Sequence, residues 1–285
     1  MRPLGLIPVL LGLSCQPRLP KLDAKFDVGT LSLHLVCLGE GSPTVVLDAG
    51  LGQDAKTWAP VQPDIARFTR VCAYDRAGMG TSSPAARPHT NRQMADELDS
   101  LLSAAKIPGP FVLVGHSMGG VNVRLFASKH PENVAAMVLV DSMTGDQAAR
   151  FWSLIPEAQM KEFRDGLSKL KEGIDFESLS SGLAEMKSSS QSLGGKALVV
   201  LTRGKEDPFP GASPELTQKM LGSWQSMQKE LTELSTNRAH VVATNAHHFI
   251  HRDAPKLVVV AVREVVESQR AHRALNAATI SAAAQ

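Results

Sequence analysis

Cysteine is scarce in this chain: three among 285 residues, at Cys15, Cys37 and Cys72. No C-x-x-C pair, no H-E-x-x-H and no Walker-type glycine loop occurs, so the common metal and nucleotide signatures are excluded. An excess of one charge is also missing. Lys and Arg number 30 against 28 Asp and Glu, the formal net charge is +2, and no dense basic run stands out. Nucleic acid and acidic surfaces are therefore not expected partners. The apolar stretch from Leu4 to Leu13 is too short to cross a bilayer as a helix. There is no internal repeat and no clear second domain boundary.

What is present is ordinary for a globular protein: 43% hydrophobic and 20% charged residues. The length suits one α/β domain with an insertion, or two small domains. The N-terminus stands apart. Arg2, the apolar stretch and Ser14-Cys15 resemble a short secretory signal, residues 1–15, with lipoprotein-type processing before Cys15. Export, with membrane attachment through a lipid on Cys15, is the expectation; an ordinary packed or disordered N-terminus is the alternative, and would leave the protein cytoplasmic. Cys37 and Cys72 lie in apolar, strand-like runs and are expected to be buried free thiols. A disulfide between them is the other reading, open in an oxidising compartment.

After Pro20 the pattern alternates. LSLHLVC (31–37), TVVLDAG (44–50), RVCAYD (70–75), FVLVG (111–115), AMVLVD (136–141), ALVVLTRG (197–204) and HVVAT (240–244) read as strands. Residues 91–106, 118–130 and 255–275 read as helices. Apolar strands alternating with helices predict a mostly parallel sheet covered on both faces. No strand signal occurs between Asp141 and Lys196. That stretch has helical spacing of large apolar groups, among them Phe151, Phe163, Leu167 and Leu183, and is a candidate lid over the sheet's C-terminal edge.

The most informative stretch is FVLVGHSMGG (111–120). Gly115-His116-Ser117-Met118-Gly119 fits G-x-S-x-G between a strand and a helix, an arrangement that projects a serine hydroxyl from a sharp turn. A serine hydroxyl is a weak nucleophile, so it needs a base, and the base needs an orienting acid. NAHHFIHRDAP (245–255) offers histidines after a strand. GKEDPFPG (204–211) offers carboxylates after another, and Asp141 ends a third.

With PTVVLDAGLG, RVCAYDRAGMGTSS, VLVGHSMGG, MVLVDS, GKEDP and HHFIHRDAPKLV in view, the chain resembles the α/β-hydrolase superfamily from about Ser32 to Val266, with an esterase- or lipase-like serine. The resemblance implies an eight-stranded, mostly parallel sheet with helices on both faces. The hydrolase domain would span 24–285, with a helical lid insertion at about 142–195. It implies Ser117 as nucleophile, His248 as base and Asp207 as acid, with His247 the rival base and Asp141 the rival acid. His251 and His116 read as packing. Backbone amides of Leu51 and Met118 would form the oxyanion hole. The family's usual His-Gly is replaced by Ala49-Gly50. Asp48 could take over the missing contacts, though a solvated carboxylate is the favoured reading. Asp75 and Arg76 are expected to tie loops together. Trp58 and Trp152 read as core more readily than as pocket. The implied reaction is ester hydrolysis on a small molecule through an acyl-enzyme, with no metal or organic cofactor. C–C, lactone or amide hydrolysis and cofactor-free peroxidation use the same triad, and an inactive binding module is a further reading.

Overall fold

The structure is a computed structural model that describes residues 21–189, 192–206 and 210–284. The expected signal segment, with Cys15, lies outside them, and so does Asp207. Eight strands form one sheet: β1 (Lys21–Val28), β2 (Leu31–Leu38), β3 (Thr44–Asp48), β4 (Val71–Asp75), β5 (Phe111–His116), β6 (Val134–Val140), β7 (Ala197–Arg203) and β8 (Arg238–Ala243). Their spatial order is β1-β2-β4-β3-β5-β6-β7-β8. β2 runs antiparallel to β1 and β4, and every other neighbour pair is parallel. The expected architecture is therefore observed.

The apolar runs fall into two cores, split by the period-2 alternation of a strand. Leu113 of β5, Met137 and Leu139 of β6 and Leu198 and Val200 of β7 pack with the helices Asn91–Ala104 and Gly119–Lys129. Their neighbours Val112, Val114, Val138, Val199 and Leu201 face the helix Pro255–Ala271. Burial on both faces explains why β3 to β7 read as continuous hydrophobic stretches. Each fully buried Leu or Val contributes about 1.5–3 kcal/mol of hydrophobic stabilisation. The helix Asn91–Ala104 starts on a capping box in which Thr90 and Gln93 satisfy each other's backbone amides. It buries Met94, Leu98, Leu101 and Leu102 along one stripe.

Two expectations are corrected here. Cys37 and Cys72 are bonded to each other, not free. They lie directly opposite in the antiparallel β2–β4 pair, which sets their side chains next to each other. Sequence spacing does not disclose such a register. Asp48 is fully buried rather than solvated. It accepts from the Tyr74 hydroxyl at 2.7 Å and from Arg76 Nη1 at 2.5 Å.

Between β6 and β7 the chain forms a helical insertion. Its longer helices are Glu157–Lys169 and Phe176–Ser189. A helix not expected from the sequence, Pro214–Glu230, follows β7. It begins on Ser213, whose hydroxyl accepts from Leu216 N, with proline at its first position.

Candidate active site

Ser117 sits between the end of β5 and the helix Gly119–Lys129. Its φ is 52°, in the left-handed region that side chains other than glycine rarely adopt. The turn is enforced by contact on both sides. A Cβ on Gly115 would fall 2.5 Å from the Gly120 Cα, and one on Gly119 would fall 2.3 Å from the Asp48 carbonyl oxygen. Both obstacles are backbone, so only glycine fits. Asp141, just beyond β6, has a positive φ of 45° as well. Two such residues at adjoining strand ends mark a site held in place by its surroundings.

His248 lies in the loop after β8. Its Nε2 is 3.0 Å from Ser117 Oγ, and its Nδ1 is 2.6 Å from Asp141 Oδ2. The serine hydroxyl can donate to Nε2 while Nδ1–H donates to the carboxylate. Asp141 Oδ1 also accepts from the Arg203 amide at 3.0 Å and from Trp224 Nε1 at 2.7 Å. Oδ2 accepts from Arg203 Nη1 at 2.9 Å. Burial alone would raise the Asp141 carboxyl. The Arg203 charge and the His248 hydrogen bond outweigh it and hold the group below its ordinary range. Arg203 is itself fixed by Glu206 Oε2 at 2.6 Å, and it stacks over the Trp224 ring at 4.3 Å.

His116 and His251 brace the histidine loop. His116 Nε2–H donates to the His248 carbonyl at 3.0 Å. His251 packs against Trp58 and His116 with ring centroids 4.8 and 4.6 Å away. Burial drives His116 well below the usual imidazole range and His251 down to about 3.

The loop after β3 passes close to the elbow. A Cβ on Gly50 would lie 2.7 Å from His116 Nδ1. Arg76 holds this loop, donating to Ala49 O at 2.7 Å and Gly50 O at 2.6 Å. Among the described residues, neither the Leu51 nor the Met118 amide has a hydrogen-bond acceptor.

The structure thus joins Ser117 and His248, and it puts Asp141 at His248 Nδ1, where the resemblance implied Asp207. Strand β6 ends beside the histidine loop, so the residue just beyond it reaches the imidazole directly. His247 is engaged elsewhere, donating its amide to Asp253 at 2.8 Å. His251 and Trp58 are core, as expected. Asp75 ties loops, accepting from the amides of Ala55 and Thr81. Arg203 and Trp224 escaped the sequence reading. The Ser213-Pro214 start signal could have found the helix that carries Trp224, but not its contact with Asp141.

Ser117 and His248 open on a cavity of about 370 Å³. Phe151, Trp152, Phe163, Met220, Trp224 and Phe249 give it a largely apolar wall, so Trp152 lines the pocket as well as packing. Among the described residues there is no cluster of His, Cys, Asp and Glu suited to a metal ion.

Known proteins share the fold. An uncharacterized protein of Bacillus subtilis, YqjL, is 34% identical over 227 residues, 80% of this chain and 85% of that one. A thermophilic esterase from Thermogutta terrifontis shares the fold at a TM-score of 0.61 and 19% identity, over 87% of this chain and 99% of that one. The 2-hydroxy-6-oxo-6-phenylhexa-2,4-dienoate hydrolase of a Rhodococcus strain does so at a TM-score of 0.64 and 19% identity, with the same coverage. The family model of the alpha/beta hydrolase fold matches residues 43–261. With that match over most of its length, the chain belongs to the α/β-hydrolase family.

Proposed function

We propose that this hydrolase cleaves carboxylic esters through Ser117, His248 and Asp141. The observation that carries the reading is the unbroken chain from Ser117 Oγ through the His248 ring to Asp141. His248 Nε2 takes the hydroxyl proton as Oγ attacks the carbonyl carbon, and Asp141 steadies the imidazolium that forms. The Leu51 and Met118 amides receive the oxyanion. His248 then passes its proton to the leaving alcohol. Water repeats the cycle on the acyl-enzyme.

The pocket favours a neutral substrate with an apolar body. Its wall is mainly aromatic, and its one arginine is already offset by Asp141 and Glu206. A series of p-nitrophenyl esters, assayed beside Ser117→Ala, tests the reading. Loss of about a thousandfold or more in the variant is expected. Equal rates for the two proteins would overturn it.

Export belongs to the same proposal. The Leu4–Leu13 stretch fits a signal, and a Cys37–Cys72 bond persists in an oxidising compartment. Mass spectrometry of the mature N-terminus would show processing before Cys15, and an intact Met1 would contradict it.

A further inference from the structure

Glu172 lies in the helical insertion, far in sequence from the residues of the triad. It joins the helices Glu157–Lys169 and Phe176–Ser189, yet its side chain is fully buried against the catalytic frame. One carboxylate oxygen accepts from Arg76 Nε. The other accepts from the Gly52 amide at 2.8 Å. Arg76 also donates to Asp48, Ala49 and Gly50. Glu172 and Arg76 therefore grip the loop 48–52 from both ends, with Leu51 between them.

The approach of the insertion is built in. A Cβ on Gly78 would lie 2.0 Å from the Lys171 carbonyl oxygen, so the β4 loop leaves room for it. Gly173 has a φ of 79°, and a Cβ there would meet the Ala86 carbonyl oxygen at 2.3 Å. His89 Nδ1–H donates to the Glu172 carbonyl at 2.9 Å, and the His89 amide donates to Gly173 O at 3.0 Å. Arg87 donates to Ser168 O at 2.9 Å. A contact made only to balance Arg76 would not need the bond to Gly52, since Asp48 already faces that guanidinium.

We infer that Glu172 is a positioning residue, by which the helical insertion aims the Leu51 amide at the developing oxyanion. The inference rests on the serine-hydrolase reading above. A donor aimed at the oxyanion stabilises the transition state without changing ground-state binding, so its loss shows in kcat rather than KM. Glu172→Gln keeps the volume, but it turns one of the two accepting oxygens into an NH2 that faces the donor of either Arg76 or Gly52. Glu172→Asp keeps the charge but shortens the reach.

Both variants are compared with wild type on a p-nitrophenyl ester, with active sites counted by a p-nitrophenyl phosphonate. Phenylboronic acid serves as the transition-state mimic. Far-UV circular dichroism and Tm report folding. In at least one folded variant kcat per titrated site falls about tenfold or more, KM stays within about twofold, and boronate affinity drops by the same factor as kcat. If folded variants keep wild-type kcat per site and boronate affinity while Tm falls, Glu172 is structural and the inference is overturned. If neither variant folds, Glu172 acts as a keystone of the fold and the positioning role is likewise rejected. Wild-type protein that neither hydrolyses esters nor takes up phosphonate removes the hydrolase reading itself, a failure distinct from the others.

Discussion

Trp224 and Asp141, 83 residues apart in the chain, are joined by an indole N–H that donates to the buried carboxylate at 2.7 Å. The bond orients the carboxylate so that its other oxygen faces His248. Replacing Trp224 with Phe keeps most of the packing and removes the donor. A hydrogen bond to a charged group is worth about 1.5–3 kcal/mol, so kcat should fall roughly tenfold or more. Unchanged kcat in a folded Trp224→Phe protein would show that Arg203 alone orients Asp141.

The identity of the acid is open to a direct comparison. Asp141→Asn removes the charge that fixes the His248 tautomer, and kcat should drop by about four orders of magnitude. Asp207→Asn should stay close to wild type. Steady-state kinetics on one ester decides between them, and the opposite pattern would reinstate Asp207.

The elbow was legible because three features coincide in ten residues: an apolar strand, a G-x-S-x-G and a helix. His248 came from the resemblance, through its place in HHFIHRDAP. The acid was not, because the sequence offers a carboxylate after two different strands, and the contact of Asp141 with His248 rests on the order of those strands in the sheet. Glu172, Arg203 and Trp224 were invisible for a related reason. Each works through a contact made across the fold, with no local pattern to betray it. The same holds for the Cys37–Cys72 pairing, which depends on strand register.

Stability should depend on pH through His251. Its folded-state pKa of about 3 lies below the unfolded imidazole value of 6.5 because burial disfavours the charged form. The contribution is complete above the unfolded value and is lost as pH falls from about 6.5 toward 3. His251→Phe keeps a ring beside Trp58 but does not titrate. Tm measured from pH 7 to pH 4 should fall less steeply for His251→Phe than for wild type, and parallel slopes would assign the effect to other groups.

Reduction of the Cys37–Cys72 bond should also cost stability. It closes a loop of sequence separation 35, for which the chain-entropy account gives roughly 4 kcal/mol. Chemical denaturation of oxidised and reduced protein, with thiol titration to confirm each state, measures the difference. A midpoint that does not move would show that the β2–β4 pairing is self-sufficient.

The burial of Glu172 has a consequence for anyone who redesigns this protein. Helical insertions between strands are attractive parts to exchange when a new substrate range is wanted. Here the part carries the anion that shares Arg76 with Asp48. A donor segment lacking an acid at that point would take away half of the arginine's compensation and release one end of the loop at Gly52. Swaps in this scaffold should cut on either side of residues 170–173 and leave them with the host.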